Sequence, residues 1–405
     1  MLSKISEMSS RKKHLLSVVL ISALAIIIYS NTFDASFHFD DTPSIVENYA
    51  IHRFDIGAIL SSSSRPVLDI TFALNYYFGK LNVFGYHLVN LFLHMANGIL
   101  LYFILFLTIN RINPTSATNP INSINTTNPT NSINPINFRI PLYASLIFIA
   151  HPIQTQAVTY IVSRSSVLAT TFYLLTLFLF IKAFRGSGPS LVTRHSSLYL
   201  GGAFIASCLA MGTKQIAATL PAMVLIYDFY FISRGNLKTL GSHYKSHLLM
   251  FSTIAIVIYL SFSGLTRFIS FDYAQGVPMP QTEPVTSFQY FLTQLHVIPY
   301  YIKLLFIPTN LNLDYDWPIT RSIDFATVLY FFLLSFFVVT ALFLYRRAKL
   351  ISFGIIWFFV TLSVTSSFIV IYDVIFEHRL YLPSVGFVMV VAFLISRISG
   401  LRVKK

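Results

Sequence analysis

The sequence predicts an all-α, polytopic integral membrane protein with about 10–12 transmembrane helices. Charged residues make up only 11% of the 405, against roughly 25% in a soluble domain. Apolar residues reach 55% and the mean hydropathy is +0.67. Apolar runs long enough to span a bilayer recur from one end of the chain to the other. A soluble enzyme is excluded, and the lipid bilayer is the first partner. The formal charge of +13 then points to basic loops on one side of a membrane, with no nucleic acid implied.

The first span, 15–30, follows Arg11-Lys12-Lys13 without a small-x-small cleavage signature behind it, and reads as an uncleaved signal anchor. Further spans are expected at 86–109, 138–151, 165–184, 197–212, 216–232, 246–263, 325–345, 350–371 and 380–396. Residues 66–78 would make a helix about 20 Å long, short of the roughly 30 Å apolar core, and they carry Asp69 and Asn75. An interfacial helix in the first external loop, 31–85, is the expectation there. Residues 288–307 hold Gln289, Gln294, His296, Pro299 and Lys303, too polar for a lipid face, so a re-entrant or bundle-buried helix is expected. Residues 110–137 form a low-complexity Asn/Pro/Thr/Ser/Ile tract that cannot bury enough apolar surface to fold, and are expected to be disordered. The rest of 1–405 reads as one membrane-embedded domain. Cys208, the only cysteine, rules out an intrachain disulfide and a cysteine metal site.

Placing the N-terminus in the cytoplasm and letting each span cross once gathers most of the basic residues on one side. They are Arg11, Lys12, Lys13, Lys182, Arg185, Arg194, Arg234, Lys238, Lys245, Arg346, Arg347, Lys349 and the tail from Arg397 to Lys405. This is the asymmetry that the positive-inside rule requires. The unusual polar clusters then fall on the opposite, extracytoplasmic side. Phe39-Asp40-Asp41 opens the first loop, with Arg65-Pro66 further along it. His151-Pro152 and Gln156 end one span, and Ser163-Arg164-Ser165-Ser166 begins the next. Lys214-Gln215, Leu313-Asp314-Tyr315-Asp316 and Glu377-His378-Arg379 complete the set. Acids, histidines and single strong cations mixed at one face suit a cavity that handles a phosphate and a proton transfer. Asp314 and Asp316 read as loop solvation, and His151 equally as a helix-terminating residue whose ring caps backbone.

An ordered set of these motifs resembles a known family. Phe39-Asp40-Asp41 with Asn48, Arg65-Pro66, Gly85-Tyr86-His87-Leu88-Val89-Asn90, His151-Pro152 with Ala157-Val158-Thr159-Tyr160, Arg164, Lys214, Tyr227-Asp228, and Glu377-His378-Arg379-Leu380-Tyr381-Leu382-Pro383-Ser384 all contribute. Together they resemble the membrane domain of the GT-C glycosyltransferases, in particular the transmembrane and tetratricopeptide-repeat O-mannosyltransferases and their bacterial relatives. The resemblance runs across residues 15–396 in order.

It implies a GT-C-like bundle and an inverting transfer of sugar from a polyprenyl-phosphate-linked donor to an extracytoplasmic acceptor. Asp40 or Asp41 would be the general base or a metal ligand, with Mg2+ or Mn2+ favoured by oxygen donors if an ion takes part. Arg379, with His378 and Lys214 behind it, would bind the donor phosphate. Arg65, His151, Gln156, Arg164 and Glu377 are further pocket candidates. Two departures stand out: the family usually has an acid where this chain has Gln156, and Lys-Glu where it has Lys214-Gln215. No repeat array follows the last span, which leaves the acceptor open between a protein hydroxyl and an envelope glycan or lipid. The implied location is a bacterial inner membrane with the site facing outward. A transporter or flippase for a lipid-linked sugar is the alternative; it would want charges near the midplane and internal symmetry, and the sequence has neither.

Overall fold

The computed structural model describes residues 9–112, 135–185, 194–262, 285–371 and 373–402. Among these residues the protein is helical, with no strand. Six helices are long and apolar enough to cross a membrane, and four shorter apolar helices accompany them. The chain is an all-α, multi-pass membrane protein. Nearly all of the low-complexity tract, and most of the loop after the helix that ends at Phe262, lie outside the described residues.

Helix α1 (Ser10–Tyr29) buries Lys13, Ser17, Ile21, Ala25 and Tyr29, a stripe at four-residue spacing, and leaves its other faces apolar and exposed. A long loop with short helical turns of its own leads to α2 (Pro66–Gly79), which starts with Pro at its first position, where the missing N–H costs nothing. Helix α3 (Val83–Ile112) is the long central element, and α4 (Pro135–Ala150) packs along it. Their approach to α1 is close: a Cβ on Gly98 would stand 2.9 Å from Ile149 and 3.0 Å from Ile21. Helices α5 (Arg164–Ala183) and α6 (Arg194–Met211) form a tight antiparallel pair. Then come α7 (Leu220–Tyr227), running on through a π turn Asp228–Ile232, and α8 (Tyr244–Ser252), extended by 254–262.

Helix α9 (Ser287–Phe306) takes one of the two forms expected of it, a bundle-buried helix. It is single and continuous, opened by a Thr286–Gln289 capping box. Its polar residues have partners inside the bundle: Gln294 donates to the Val374 carbonyl at 2.9 Å, and His296 meets Thr327 Oγ1 at 2.9 Å. Helix α10 (Phe325–Leu344) is mostly exposed and apolar. Helix α11 (Lys349–Leu362) corrects an expectation, because the run to residue 371 is helical only as far as Leu362. Beyond it, Ser363, Thr365 and Ser366 turn the chain, Thr365 and Ser366 donating their N–H groups back to Leu362. Residues 363–371 and 373–376 become a non-helical return toward the polar end of the bundle. Helix α12 (Ser384–Arg402) then crosses α11 at a Gly–Gly contact, where a Cβ on Gly354 would lie 2.7 Å from the Gly386 carbonyl oxygen.

Buried polar side chains tie the turn before α12 to the rest. Tyr381 Oη meets His94 Nδ1 at 2.7 Å and accepts from Asn97 at 3.0 Å. Trp357 donates to the Leu382 carbonyl at 2.9 Å, and Gln154 to Ser384 Oγ at 2.9 Å. Such contacts fix where Glu377, His378 and Arg379 sit.

Candidate active site

The first loop is a small folded unit. Ile45, Ile51 and Ile59 pack with Leu68, Phe72 and Tyr86, and against Ile161 and Leu168 from the α5 region. Asn48 and Asp55 cap the helices Tyr49–His52 and Ile56–Ser62, their side chains accepting from Ile51 and Ala58. This plug holds the acidic motif. Phe39 adopts a left-handed backbone (φ 45°), costing roughly 1–2 kcal/mol for a residue with a Cβ. The strain is held by the neighbouring bonds: Thr42 N–H donates to the Phe39 carbonyl at 3.1 Å and Asp40 N–H to Tyr160 Oη at 2.9 Å.

The two aspartates part company at this turn. Asp40 is exposed and lines a cavity of about 730 Å³. Asp41 is buried and does not line it. Its Oδ2 accepts from His38 N–H at 3.0 Å and its Oδ1 from Val162 N–H at 2.7 Å. Burial pushes the Asp41 carboxyl upward, and those two backbone donors pull it back. A divalent ion shared by both carboxylates does not fit this arrangement, since Asp41 is turned into the protein to anchor the loop.

Besides Asp40, the cavity is lined by Arg65, Lys214 and Arg379. Lys214 Nζ donates to Ser166 Oγ at 2.7 Å. Burial, then the charges of Arg65 and Arg379, hold the Lys214 ammonium well below its ordinary value. Arg379 is buried, its guanidinium donating to the Val374 carbonyl at 3.2 Å and to the carbonyl of Asp373. His378 lines the cavity, stacked on Phe376 at 4.9 Å, with Nδ1 3.4 Å from Ser163 Oγ. Burial, with Lys214, Arg379 and Arg65 nearby, keeps its ring neutral. Among the described residues no carboxylate is in salt-bridge contact with these cations, and such a group of cations makes a receptor for an anion. The same cavity also has apolar lining residues, Ile216, Val257, Val364, Ile369 and Ile371.

The remaining candidates are placed elsewhere. Arg164 is fully buried under the first loop, outside the cavity lining. It donates to Asn90 Oδ1 and Asn75 Oδ1, both at 2.6 Å, and to the Tyr86 carbonyl at 2.9 Å, with Phe72 stacked 4.5 Å away. His151 caps backbone: Nε2 donates to Leu305 and Nδ1 accepts from Ile153. Glu377 is buried, accepting from Asn312 N–H and Tyr315 Oη at 2.6 Å each. Gln156 accepts from His378 N–H and donates to the Leu313 carbonyl. None of these three lines the cavity.

Two acids that the sequence reading did not select do line it. Asp314, read as loop solvation, and Asp373 join Asp40. Burial raises the Asp373 carboxyl, Arg379 opposes this, and the charges of Asp314 and Asp40 add to the rise. The signal for Asp373 was hidden by the span drawn through residue 371. Ser163 and Ser165 also face the cavity, on either side of the inward-turned Arg164.

Comparison with known proteins agrees with the motifs. Protein O-mannosyl-transferase TMTC3 of Homo sapiens is 25% identical over 428 aligned positions, covering 94% of this chain and 42% of that protein. The chain is related to the TMTC protein O-mannosyl-transferases. Human TMTC2 is 31% identical over 256 positions, 59% of this chain and 27% of the relative, and human TMTC4 27% over 236 positions, 54% and 30%. The chain thus spans less than half the length of the curated TMTC relatives it matches. No family model and no solved structure matches.

Proposed function

We propose that this protein is an inverting membrane glycosyltransferase that moves a sugar, mannose by relation to the TMTC enzymes, from a polyprenyl-phosphate donor to a hydroxyl on an extracytoplasmic acceptor. The observation that carries this reading is the cavity lined by the exposed Asp40 together with Arg65, Lys214 and Arg379.

In that arrangement the cations hold the donor phosphate, and the apolar lining residues Val257, Ile369 and Ile371 receive the first units of the polyprenyl chain. The acceptor hydroxyl enters from the Asp40 side. Asp40 takes its proton as the oxygen attacks the anomeric carbon, and the bond from that carbon to the phosphate oxygen breaks. Inversion follows because nucleophile and leaving group lie on opposite faces of the sugar. The phosphate leaves with its charge met by Arg379 and by Lys214, which takes up its proton as the donor binds. Asp41 holds the loop that presents Asp40. The site faces the extracytoplasmic side, since the basic loops lie at the other end of the bundle.

The test is transfer of labelled mannose from a polyprenyl-phosphate donor in proteoliposomes holding the full chain, with protein and glycan acceptors offered separately. A covalent product formed by the native chain and lost in Asp40→Asn supports the reading. Passage of the intact lipid-linked sugar across the bilayer without a product would instead mark a flippase.

A further inference from the structure

The end of α7 remote from the cavity carries a second cluster of chemically capable side chains. Asp228 opens the π turn Asp228–Ile232, thirteen residues beyond Gln215, or about 20 Å along a helix. His243 and His247 stand four residues apart where α8 begins, on one face. His243 Nδ1 lies 2.7 Å and His247 Nε2 2.9 Å from the same oxygen, Asp228 Oδ2. Ser233 Oγ donates to the other oxygen, Oδ1, at 2.6 Å.

From this geometry we infer a divalent transition-metal site of the zinc type at Asp228, His243 and His247, separate from the sugar-transfer cavity. The three ligand atoms all lie within 4.8 Å of one another. Tetrahedral coordination with bonds of about 2.0–2.1 Å sets ligand atoms roughly 3.3 Å apart. The two nitrogen–oxygen distances, 2.7 and 2.9 Å, therefore need to open by only about half an ångström to admit an ion. Two imidazoles and one carboxylate leave a fourth position for solvent, and the nitrogen-rich set selects zinc-class ions over magnesium or calcium.

The surroundings are those of a metal site. Ser233 orients the carboxylate as an outer partner. Phe184 packs 4.3 Å from the His243 ring and Phe180 5.7 Å from that of His247, which shields the site from bulk solvent. Arg111 spends its guanidinium on the carbonyls of Ile181 and Phe184 (3.2 and 2.9 Å), so it does not neutralise Asp228 through a direct bond. The site joins the end of α7 to the start of α8 across the helix Leu237–Ser242, and an ion there would clamp that connection.

The test uses the full chain in nanodiscs, stripped with a chelator and titrated with Co2+ and Zn2+. The expected result is one saturable equivalent with the visible absorption of tetrahedral Co2+. It should be lost in His243→Gln and in His247→Gln, and kept in His195→Gln, a change at an exposed histidine. X-ray absorption on the unmodified, zinc-loaded chain reads the ligands without any variant and should show two imidazoles. No saturable binding, a stoichiometry untouched by the two α8 variants, or a shell with fewer than two imidazoles would overturn the assignment and leave Asp228 as a purely proton-bonded hub.

Discussion

Gln156 joins two distant segments through one carboxamide: its Oε1 accepts the His378 backbone N–H at 2.6 Å while its Nε2 donates to the Leu313 carbonyl at 2.7 Å. His378 and the 313–314 turn, both part of the cavity wall, are thereby held in register. A glutamate at this position can accept from His378 but has no proton for Leu313 unless it is neutral.

Gln156→Glu is therefore expected to destabilise the protein by about 1–3 kcal/mol at neutral pH, the cost of a buried carbonyl left facing a carboxylate. The site favours the protonated acid and so raises its folded pKa above the unfolded value near 4.3. Stability of the variant should match the native chain below that value and fall away as pH rises toward the raised one. Thermal unfolding in detergent across pH checks it; a pH-independent loss would mean that the Leu313 bond is not the cause.

Asp40 and Asp41 should fail in different ways. Asp40→Asn removes the proposed base and should cost about 10²–10⁴-fold in transfer, with folding and donor affinity unchanged. Asp41→Asn weakens charge-assisted bonds to His38 and Val162 and should cost about 1–3 kcal/mol of stability. Measuring kcat, donor Kd and unfolding on both variants separates the roles. Equal loss of folding in both would remove the distinction drawn from their opposite orientations.

Arg164 is expected to act on stability alone. Arg164→Met strands the Asn90, Asn75 and Tyr86 acceptors under the first loop, at about 1–3 kcal/mol for each buried group left unpaired. Unfolding should shift strongly while the folded fraction binds donor as the native chain does. A variant that folds normally but loses donor affinity would return Arg164 to the site.

Much of this was legible beforehand, and the failures share a cause. Spans follow from hydropathy because lipid demands it, and the motifs Phe39-Asp40-Asp41, Lys214 and His378-Arg379 do bring Asp40, Lys214, His378 and Arg379 to one cavity. Sequence does not reveal which of two adjacent residues turns inward. That choice was made by the Phe39 backbone and by the Val162 N–H for Asp41, and by Asn75 and Asn90 for Arg164. Hydropathy also cannot separate a span from an apolar return loop, so residues 363–371 looked helical and Asp373 went unnoticed.

The last prediction concerns protons and the donor phosphate. In the free protein burial, Arg65 and Arg379 hold the Lys214 ammonium well below its ordinary value. A phosphate placed against these cations favours the charged lysine and lifts that value, so binding takes up a proton between the two. Donor affinity should accordingly weaken as pH rises through that window. Burial, Lys214, Arg379 and Arg65 hold the His378 ring below its ordinary value as well. Lys214→Met should weaken binding by about 10- to 100-fold at the low end, as expected for a charge-assisted hydrogen bond. The native and variant curves should then converge as pH rises and Lys214 loses its proton. Calorimetry of donor binding in two buffers of different ionisation enthalpy counts the protons directly. A native chain that takes up none, or a variant that retains the full pH slope, would show that Lys214 does not face the phosphate.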